Sequence, residues 1–208
     1  MLHCIPVGSL STNCYILIDD ETGEALAVDC AVFDGEYQSF IRGLGIRELK
    51  YILLTHGHFD HISGVRALKE AFGGKVCIHA EDSECLFDET KSLNAYVDYA
   101  PLLPSKADII LTDGLSLDFG NGEIKVMHTP GHTKGSVCFF IGNMMFSGDT
   151  LFKLSMGRTD MPGGSTRQMF SSLRAIGQLE GDYEIYSGHG EKTNLSFEKA
   201  NNRYLRAK

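Results

Sequence analysis

Apolar and polar positions follow two periods along this chain, and the switching between them predicts its elements. Asn13–Asp19 and Glu24–Asp29 are short β-rich runs separated by the turn-like Glu21-Thr22-Gly23. Asp34–Leu44 reads as a helix, with Tyr37, Phe40, Ile41 and Leu44, and Phe33 just before it, at helical spacing. Tyr51–Leu54 is a continuous apolar run of strand length. Ile62–Phe72 reads as a helix with Val65, Leu68, Ala71 and Phe72 on one face, ended by Gly73-Gly74, and Lys75–His79 as a further strand. Glu81–Tyr99 mixes helical and polar character, and Pro101 and Pro104 break the chain beyond it; this segment reads as a surface insertion and substrate flap. Strands are then predicted over 109–111, 115–119, 124–128, 136–141 and 143–147, punctuated by Gly114, Gly122 and Gly142. A helix over 166–175, a strand over 183–187 and a helix over 196–205 complete the chain.

Each half therefore supplies strands followed by helical segments. That order predicts an α+β fold in four αββα layers, with two mixed sheets face to face and helices outside. No linker composition interrupts residues 1–208, so one domain is expected.

Composition narrows the function classes. The 208 residues are 43% hydrophobic and 22% charged, ordinary globular usage. The formal net charge of -8, without a basic stripe, excludes a nucleic-acid binder of the usual kind. No stretch approaches the roughly 20 apolar residues that cross a bilayer. Met1–Leu10 carries neither a basic region nor a long apolar run, which points to the cytoplasm. The six cysteines, at 4, 14, 30, 77, 85 and 138, form no CxxC pair and are expected as free thiols, mostly packed as small hydrophobes.

Chemistry concentrates at Thr55-His56-Gly57-His58-Phe59-Asp60-His61, between an apolar strand and a helix. His56 and His58 are two apart, so an extended backbone points both to one side. Asp60 and His61 follow at the turn and can face the same cavity. Neutral imidazole and carboxylate are both zinc ligands. The positive end of the following helix is expected to keep His61 unprotonated. Three more ligand types come just past predicted strand ends. They are His132 in Thr129-Pro130-Gly131-His132-Thr133, Asp149 in Ser147-Gly148-Asp149-Thr150, and His189 in Ser187-Gly188-His189-Gly190. One edge of the sheets would then carry them all.

The set His56-x-His58-x-Asp60-His61, His132, Asp149 and His189 resembles the ligand set of the metallo-β-lactamase superfamily, over nearly the whole chain from Asn13 onward. The resemblance implies two metal sites, zinc by default with iron or manganese also suited to the ligands. It implies that His56, His58 and His132 hold one metal, that Asp60, His61 and His189 hold the other, and that Asp149 bridges them. It also implies that Asp29, at the end of an early strand, supports a ligand histidine by a hydrogen bond.

Within the superfamily, Asp149 stands where zinc β-lactamases with a sulfur ligand carry cysteine, and His58 where flavodiiron proteins carry glutamate. Ribonuclease Z shares the stretch from His56 to Gly64, but this chain has no basic patch. The stretches Thr129-Pro130-Gly131-His132-Thr133-x-Gly135-Ser136 and Gly157-Arg158-Thr159-Asp160, followed by Pro162-Gly163-Gly164, are similar to short glyoxalase II-like hydrolases. Two positions depart from that pattern: Glu191 after Gly-His-Gly and Arg203 after Asn-Asn, where proline is usual. The implied activity is metal-dependent hydrolysis of a small-molecule thioester such as a hydroxyacylglutathione, with Asp60 orienting the attacking water and taking its proton. The alternatives are a mononuclear iron persulfide dioxygenase and a hydrolase of another ester, a lactone or a phosphodiester. Arg158 has two readings, as a fork for a substrate carboxylate or phosphate, or as a loop anchor through Asp160.

Overall fold

The computed structural model describes residues 1–206. Six strands form the first sheet: β1 (Leu2–Val7), β2 (Thr12–Ile18), β3 (Ala25–Val28), β4 (Tyr51–Leu53), β5 (Lys75–His79) and β6 (Ile109–Leu111), in sequence order. β1 to β3 are antiparallel, and β3 to β6 run parallel. The second sheet has the order β14-β13-β10-β9-β8-β7, from β7 (Ser116–Phe119), β8 (Gly122–His128), β9 (Val137–Ile141), β10 (Met144–Gly148), β13 (Glu184–Ser187) and β14 (Thr193–Asn194). β10 and β13 are its parallel pair. A small hairpin of β11 (Leu151–Phe152) and β12 (Ser155–Met156) lies between β10 and the C-terminal helices.

Period-2 burial shows why two sheets and two helical layers result. In β2, Tyr15 and Leu17 join the core between the sheets, while Cys14 and Ile16 face the opposite way, toward the helices α1 (Gly35–Gly43) and α3 (Val65–Phe72). β3 and β4 divide likewise, with Leu26, Val28 and Leu53 inward and Ala27 and Ile52 outward. In the second sheet Phe139 and Phe146 meet the central core. Cys138 and Met145 face α4 (Thr166–Gly177) and α5 (Leu195–Asn201), where Met169, Leu173, Ile176 and Leu195 bury. Strands covered on both faces read as continuous apolar runs. The four layers are the expected αββα arrangement.

Several elements differ from the expectation. β1 is hidden in the sequence because Pro6 interrupts it; proline is tolerated there because β1 is an edge strand. The helix expected over 62–72 is two: α2 (Phe59–Ile62) and α3, separated at Ser63-Gly64. The Gly64 N–H donates to the Cys30 carbonyl, and a Cβ there would stand 2.6 Å from Cys30 Sγ and 2.7 Å from the Phe33 nitrogen. The break docks the ligand-bearing turn against the end of β3. The terminal helix stops at Asn201, because the Asn202 side chain turns to the carbonyls of Ser155 and Phe152 and to Glu198. Segment 81–99 holds two short 3-10 helices, Ala80–Leu86 and Asn94–Tyr96, tied to the ligand loop by Phe59 N–H to Ser92 O at 2.9 Å.

Five cysteines are buried and Cys4 is exposed; all are free thiols. Among the described residues no helix is long and apolar enough to cross a membrane.

Candidate metal centre

Five strands deliver the site from their C-terminal ends. Asp29 follows β3, and His56 follows β4 after two residues; His132, Asp149 and His189 come just past β8, β10 and β13. β8 and β10 are each antiparallel to β9, so they point the same way, and β13 parallels β10. Backbone bonds lock the two sheets together at this edge. Val137 N–H donates to Thr55 O at 2.8 Å and Asn13 N–H to Gly188 O at 2.7 Å, and within the second sheet Gly188 N–H donates to Gly148 O at 2.8 Å. The Tyr15 hydroxyl adds a bond to Ser187 O at 2.6 Å.

The side chains converge in three groups whose donor atoms lie within 4.8 Å of one another: His56-His58-His132, His56-His61-Asp149 and Asp60-His61-His189. His58 Nδ1 is 2.9 Å from His132 Nε2. His61 Nε2 is 3.3 Å from His189 Nε2, 3.5 Å from Asp60 Oδ2 and 3.6 Å from Asp149 Oδ1. Asp149 Oδ2 is 3.5 Å from His132 Nε2 and 3.7 Å from His189 Nε2. All of these residues but Asp149 and His189 are buried as whole residues, and those two keep side-chain exposures of 12% and 29%, so the cluster opens on that side.

Hydrogen bonds at the rear of the imidazoles fix which nitrogen faces the cluster. His61 donates Nδ1–H to Asp29 Oδ2 at 2.8 Å. His132 Nδ1 meets Arg158 O at 2.8 Å, and His189 Nδ1 meets Leu10 O at 3.2 Å. His56 Nδ1 lies 3.1 Å from Thr55 Oγ1, whose proton goes to Asp29 Oδ2 at 2.8 Å, so the hydroxyl accepts from the imidazole. In four histidines Nδ1 is thereby the donor and Nε2 faces the cluster, the nitrogen that binds a metal once it is unprotonated.

Two buried atoms in the cluster have no partner: His56 Nε2 and Asp149 Oδ1. An unsatisfied buried polar atom costs about 1–3 kcal/mol. Converging imidazole lone pairs and carboxylates give a cation its ligands and relieve that cost. The donor set, nitrogen and oxygen without sulfur, fits a divalent first-row metal at each of two positions.

The titration behaviour of the protein alone divides the histidines. Burial holds His56 well below the ordinary imidazole value, with His61 and His132 pushing the same way. Burial, helped by His132, takes His58 down to about 3. For His61 burial is again the largest influence and opposes charge, but Asp60, Asp29 and Asp149 together outweigh it and hold the group at about 10. His189 is also raised, its burial outweighed by the Asp60 hydrogen bond and Asp149. Burial would raise Asp60, yet His61 and His189 hold its carboxyl below the ordinary range. The expectation that the helix end keeps His61 unprotonated is therefore corrected. α2 is a single turn of four residues, and three carboxylates dominate it.

Small residues make room. A Cβ on Gly188 would lie 2.2 Å from Asp149 Oδ1, and one on Gly148 2.5 Å from the Thr55 side chain. Gly57 serves by its size, since a Cβ there would meet Cys85 at 2.7 Å. Asp29 takes φ +58°, a left-handed conformation that costs a non-glycine residue energy and that Asp tolerates better than most.

Arg158 is placed differently from the other candidates. Its guanidinium forks onto Asp160 with two bonds of 2.8 Å, and only its backbone carbonyl reaches the cluster, through His132. The anchoring of the loop is what the geometry displays. Reading the sequence missed Thr12, whose hydroxyl donates to Asp60 Oδ2 at 3.3 Å, and Asn13, whose amide holds Ser187 O and Gly190 O at 3.0 Å. Neither lies near a ligand in sequence, so no spacing rule finds them.

A four-layer sandwich with a buried His/Asp cluster at its strand ends is the build of a metallo-hydrolase. This chain belongs to the metallo-β-lactamase superfamily, whose family model matches residues 7–189. It is similar to the hydroxyacylglutathione hydrolase GloC of Haemophilus influenzae, with 31% identity over 220 residues, spanning 100% of this chain and 99% of that protein. Among solved structures, the B3 metallo-β-lactamase BLEG-1 superposes with TM-score 0.91 at 32% identity, covering 100% of both chains. TTHA1623 in a di-iron-bound form superposes with TM-score 0.85 at 32% identity, covering 97% of this chain and 99% of that one.

Proposed function

We propose that this protein is a binuclear metal-dependent hydrolase of a small thioester, of the hydroxyacylglutathione type. The observation that carries the hydrolase reading is the convergence of seven ligand side chains with two orphaned buried atoms, His56 Nε2 and Asp149 Oδ1. The thioester reading is supported by the full-length relative named a hydroxyacylglutathione hydrolase and by the stretches 129–136 and 157–164.

His56, His58 and His132 would hold one metal, Asp60, His61 and His189 the other, with Asp149 between them. Metals bound there supply an activated water near neutral pH and polarise the acyl carbonyl. The chain supplies the rest. Asp60 Oδ2, bonded by the Thr12 hydroxyl, would orient that water and take its proton. Asp29 and the carbonyls of Arg158 and Leu10 hold three imidazoles in the required tautomer. A groove of roughly 450 Å³ runs to His58 and is lined by Lys91, Tyr96, Thr133, Lys134 and Gly163, among others. It gives the leaving group a path, with the 81–99 segment as one wall.

The test is elemental analysis of the purified protein followed by turnover of lactoylglutathione. About two zinc ions per chain with thioester turnover is the expected result. About one iron per chain with oxygen uptake on a persulfide would replace this reading by the dioxygenase. Turnover of a β-lactam or a phosphodiester in preference to thioesters would overturn the substrate class and leave the hydrolase.

A further inference from the structure

Asp82 is buried at 3% exposure in the first 3-10 helix, well outside the ligand motifs. Its carboxylate accepts three hydrogen bonds. Oδ2 takes the Gly57 N–H at 2.9 Å and the Thr133 hydroxyl at 2.6 Å, and Oδ1 takes the Gly135 N–H at 2.9 Å. Gly57 stands between His56 and His58, and Thr133 follows His132. The first loop leaves a strand of one sheet and the second connects strands of the other, so one carboxylate spans the two sheets at the site.

A carboxylate only accepts, which sets the direction of the bonds around it. The Thr133 hydroxyl gives its proton to Asp82. Ser136 Oγ, 2.7 Å away, then donates to Thr133 Oγ1 while accepting the Thr133 N–H at 3.0 Å. The loop that carries His132 is closed on itself and then tied to Asp82. The glycines agree: a Cβ on Gly135 would sit 2.6 Å from Asp82 Cγ, and one on Gly57 3.1 Å from Asp82 Cβ. Both loops are bare of side chain where this carboxylate approaches.

We propose that Asp82 is a positioning residue for the three-histidine half of the centre, setting the separation of His56 and His58 from His132 across the two sheets. Asp29 supports the other half directly, through His61, and also reaches His56 through Thr55, so of the two only Asp82 is confined to the three-histidine half. The proposal rests on the two-metal reading and is independent of the substrate.

The experiment is a zinc titration of metal-stripped full-length protein against a chromophoric chelator. His132→Ala and His189→Ala mark which phase belongs to which half. In Asp82→Asn one acceptor oxygen becomes a donor facing N–H groups, and the affinity of the three-histidine phase is expected to fall about 10–100-fold. The other phase stays within about threefold, the threshold we set for no effect by reference to that range. Asp29→Asn, whose carboxylate reaches His61 directly and His56 through Thr55, should weaken both phases and so provides the contrast. Equal weakening of both phases, as general loosening of the fold would give, overturns the proposal, and so does unchanged binding. If Asp82→Asn does not fold, Thr133→Val decides: it removes one donor and keeps the shape. Selective weakening of the three-histidine phase supports the proposal, and unchanged binding at both phases overturns it. A wild-type protein that takes up a single metal would defeat the two-metal reading instead; the effect of Asp82→Asn on that one metal then tests Asp82 separately.

Discussion

His61 Nδ1 and Asp29 Oδ2 lie 2.8 Å apart, and the same oxygen takes the Thr55 hydroxyl at 2.8 Å. One buried carboxylate therefore orients His61 directly and His56 through Thr55. Its other oxygen accepts the Thr55 N–H at 2.8 Å, leaving neither oxygen idle. Asp29→Asn keeps the side-chain shape and a residue that tolerates the left-handed backbone, but loses an acceptor. Zinc affinity measured by chelator competition is expected to fall about 10–100-fold. Wild-type affinity in this variant would show that His61 needs no such support.

Asp60 is proposed both to hold a metal and to take a proton. Its Oδ2 lies 3.2 Å from His189 Nε2 and 3.5 Å from His61 Nε2, and Thr12 fixes it from behind. Asp60→Asn preserves volume and one oxygen, so the fold should persist, as circular dichroism would show. Without a base at this position turnover of the reconstituted enzyme is expected to drop about 10²–10⁴-fold. Near-normal kcat in that variant would remove Asp60 from the proton-transfer role.

The two halves of the centre should respond differently to pH. His56 and His58 are held neutral by burial and lose no proton when a metal arrives. His61, at about 10, carries a proton at pH 7, and metal binding must expel it. Affinity at the Asp60-His61-His189 half should thus rise at least about tenfold per pH unit from pH 6 to 8, His61 releasing one proton per metal and the raised His189 adding to it. The His56-His58-His132 half should vary less. For the metal-free fold the sign is the opposite at His61. Its raised pKa contributes stability that is present below the unfolded value near 6.5 and lost as pH rises toward 10. Calorimetric titration in buffers of different ionisation enthalpy counts the protons. Equal pH slopes for both phases would contradict this division.

The candidate ligand residues were legible because they sit in contiguous stretches just past apolar strands, and strand ends are where a parallel arrangement exposes side chains. The sandwich was legible for a related reason: period-2 runs buried on both faces need a layer on each side. What escaped depends on contacts between distant residues. Pro6 hid β1, since nothing local marks an edge strand whose lost N–H costs no ladder bond. The proton on His61 escaped because Asp29 and Asp149 join its sequence neighbour Asp60 only in three dimensions. Arg158 offered two readings two residues from Asp160, and its bidentate contact with Asp160 shows only in three dimensions. Asp82 left no trace, for its partners Gly57 and Gly135 lie 25 and 53 residues away.

Two glycines allow fold and metal binding to be separated by one methyl group each. At Gly64 the obstacles are the Cys30 sulfur and the backbone of Val32 and Phe33, at 2.6–2.7 Å, and backbone cannot rotate aside. Gly64→Ala should therefore cost about 1–3 kcal/mol of stability, as overpacking of a close contact does. For a chain of this size that lowers Tm by roughly 2–10 °C. At Gly188 the two nearest obstacles are side-chain atoms, Asp149 Oδ1 at 2.2 Å and His61 Cε1 at 2.7 Å, of which the Asp149 carboxylate can turn away; the Gly148 backbone is farther, at 3.3 Å. The fold then survives while the carboxylate proposed to bridge the metals is displaced. Gly188→Ala should keep Tm of the metal-free protein within a few degrees, by the same conversion, and lose bound metal on dialysis. Calorimetry with elemental analysis on both variants reads the contrast. If Gly188→Ala retained its metal and Gly64→Ala lost metal without losing stability, the roles given to these two close approaches would be reversed.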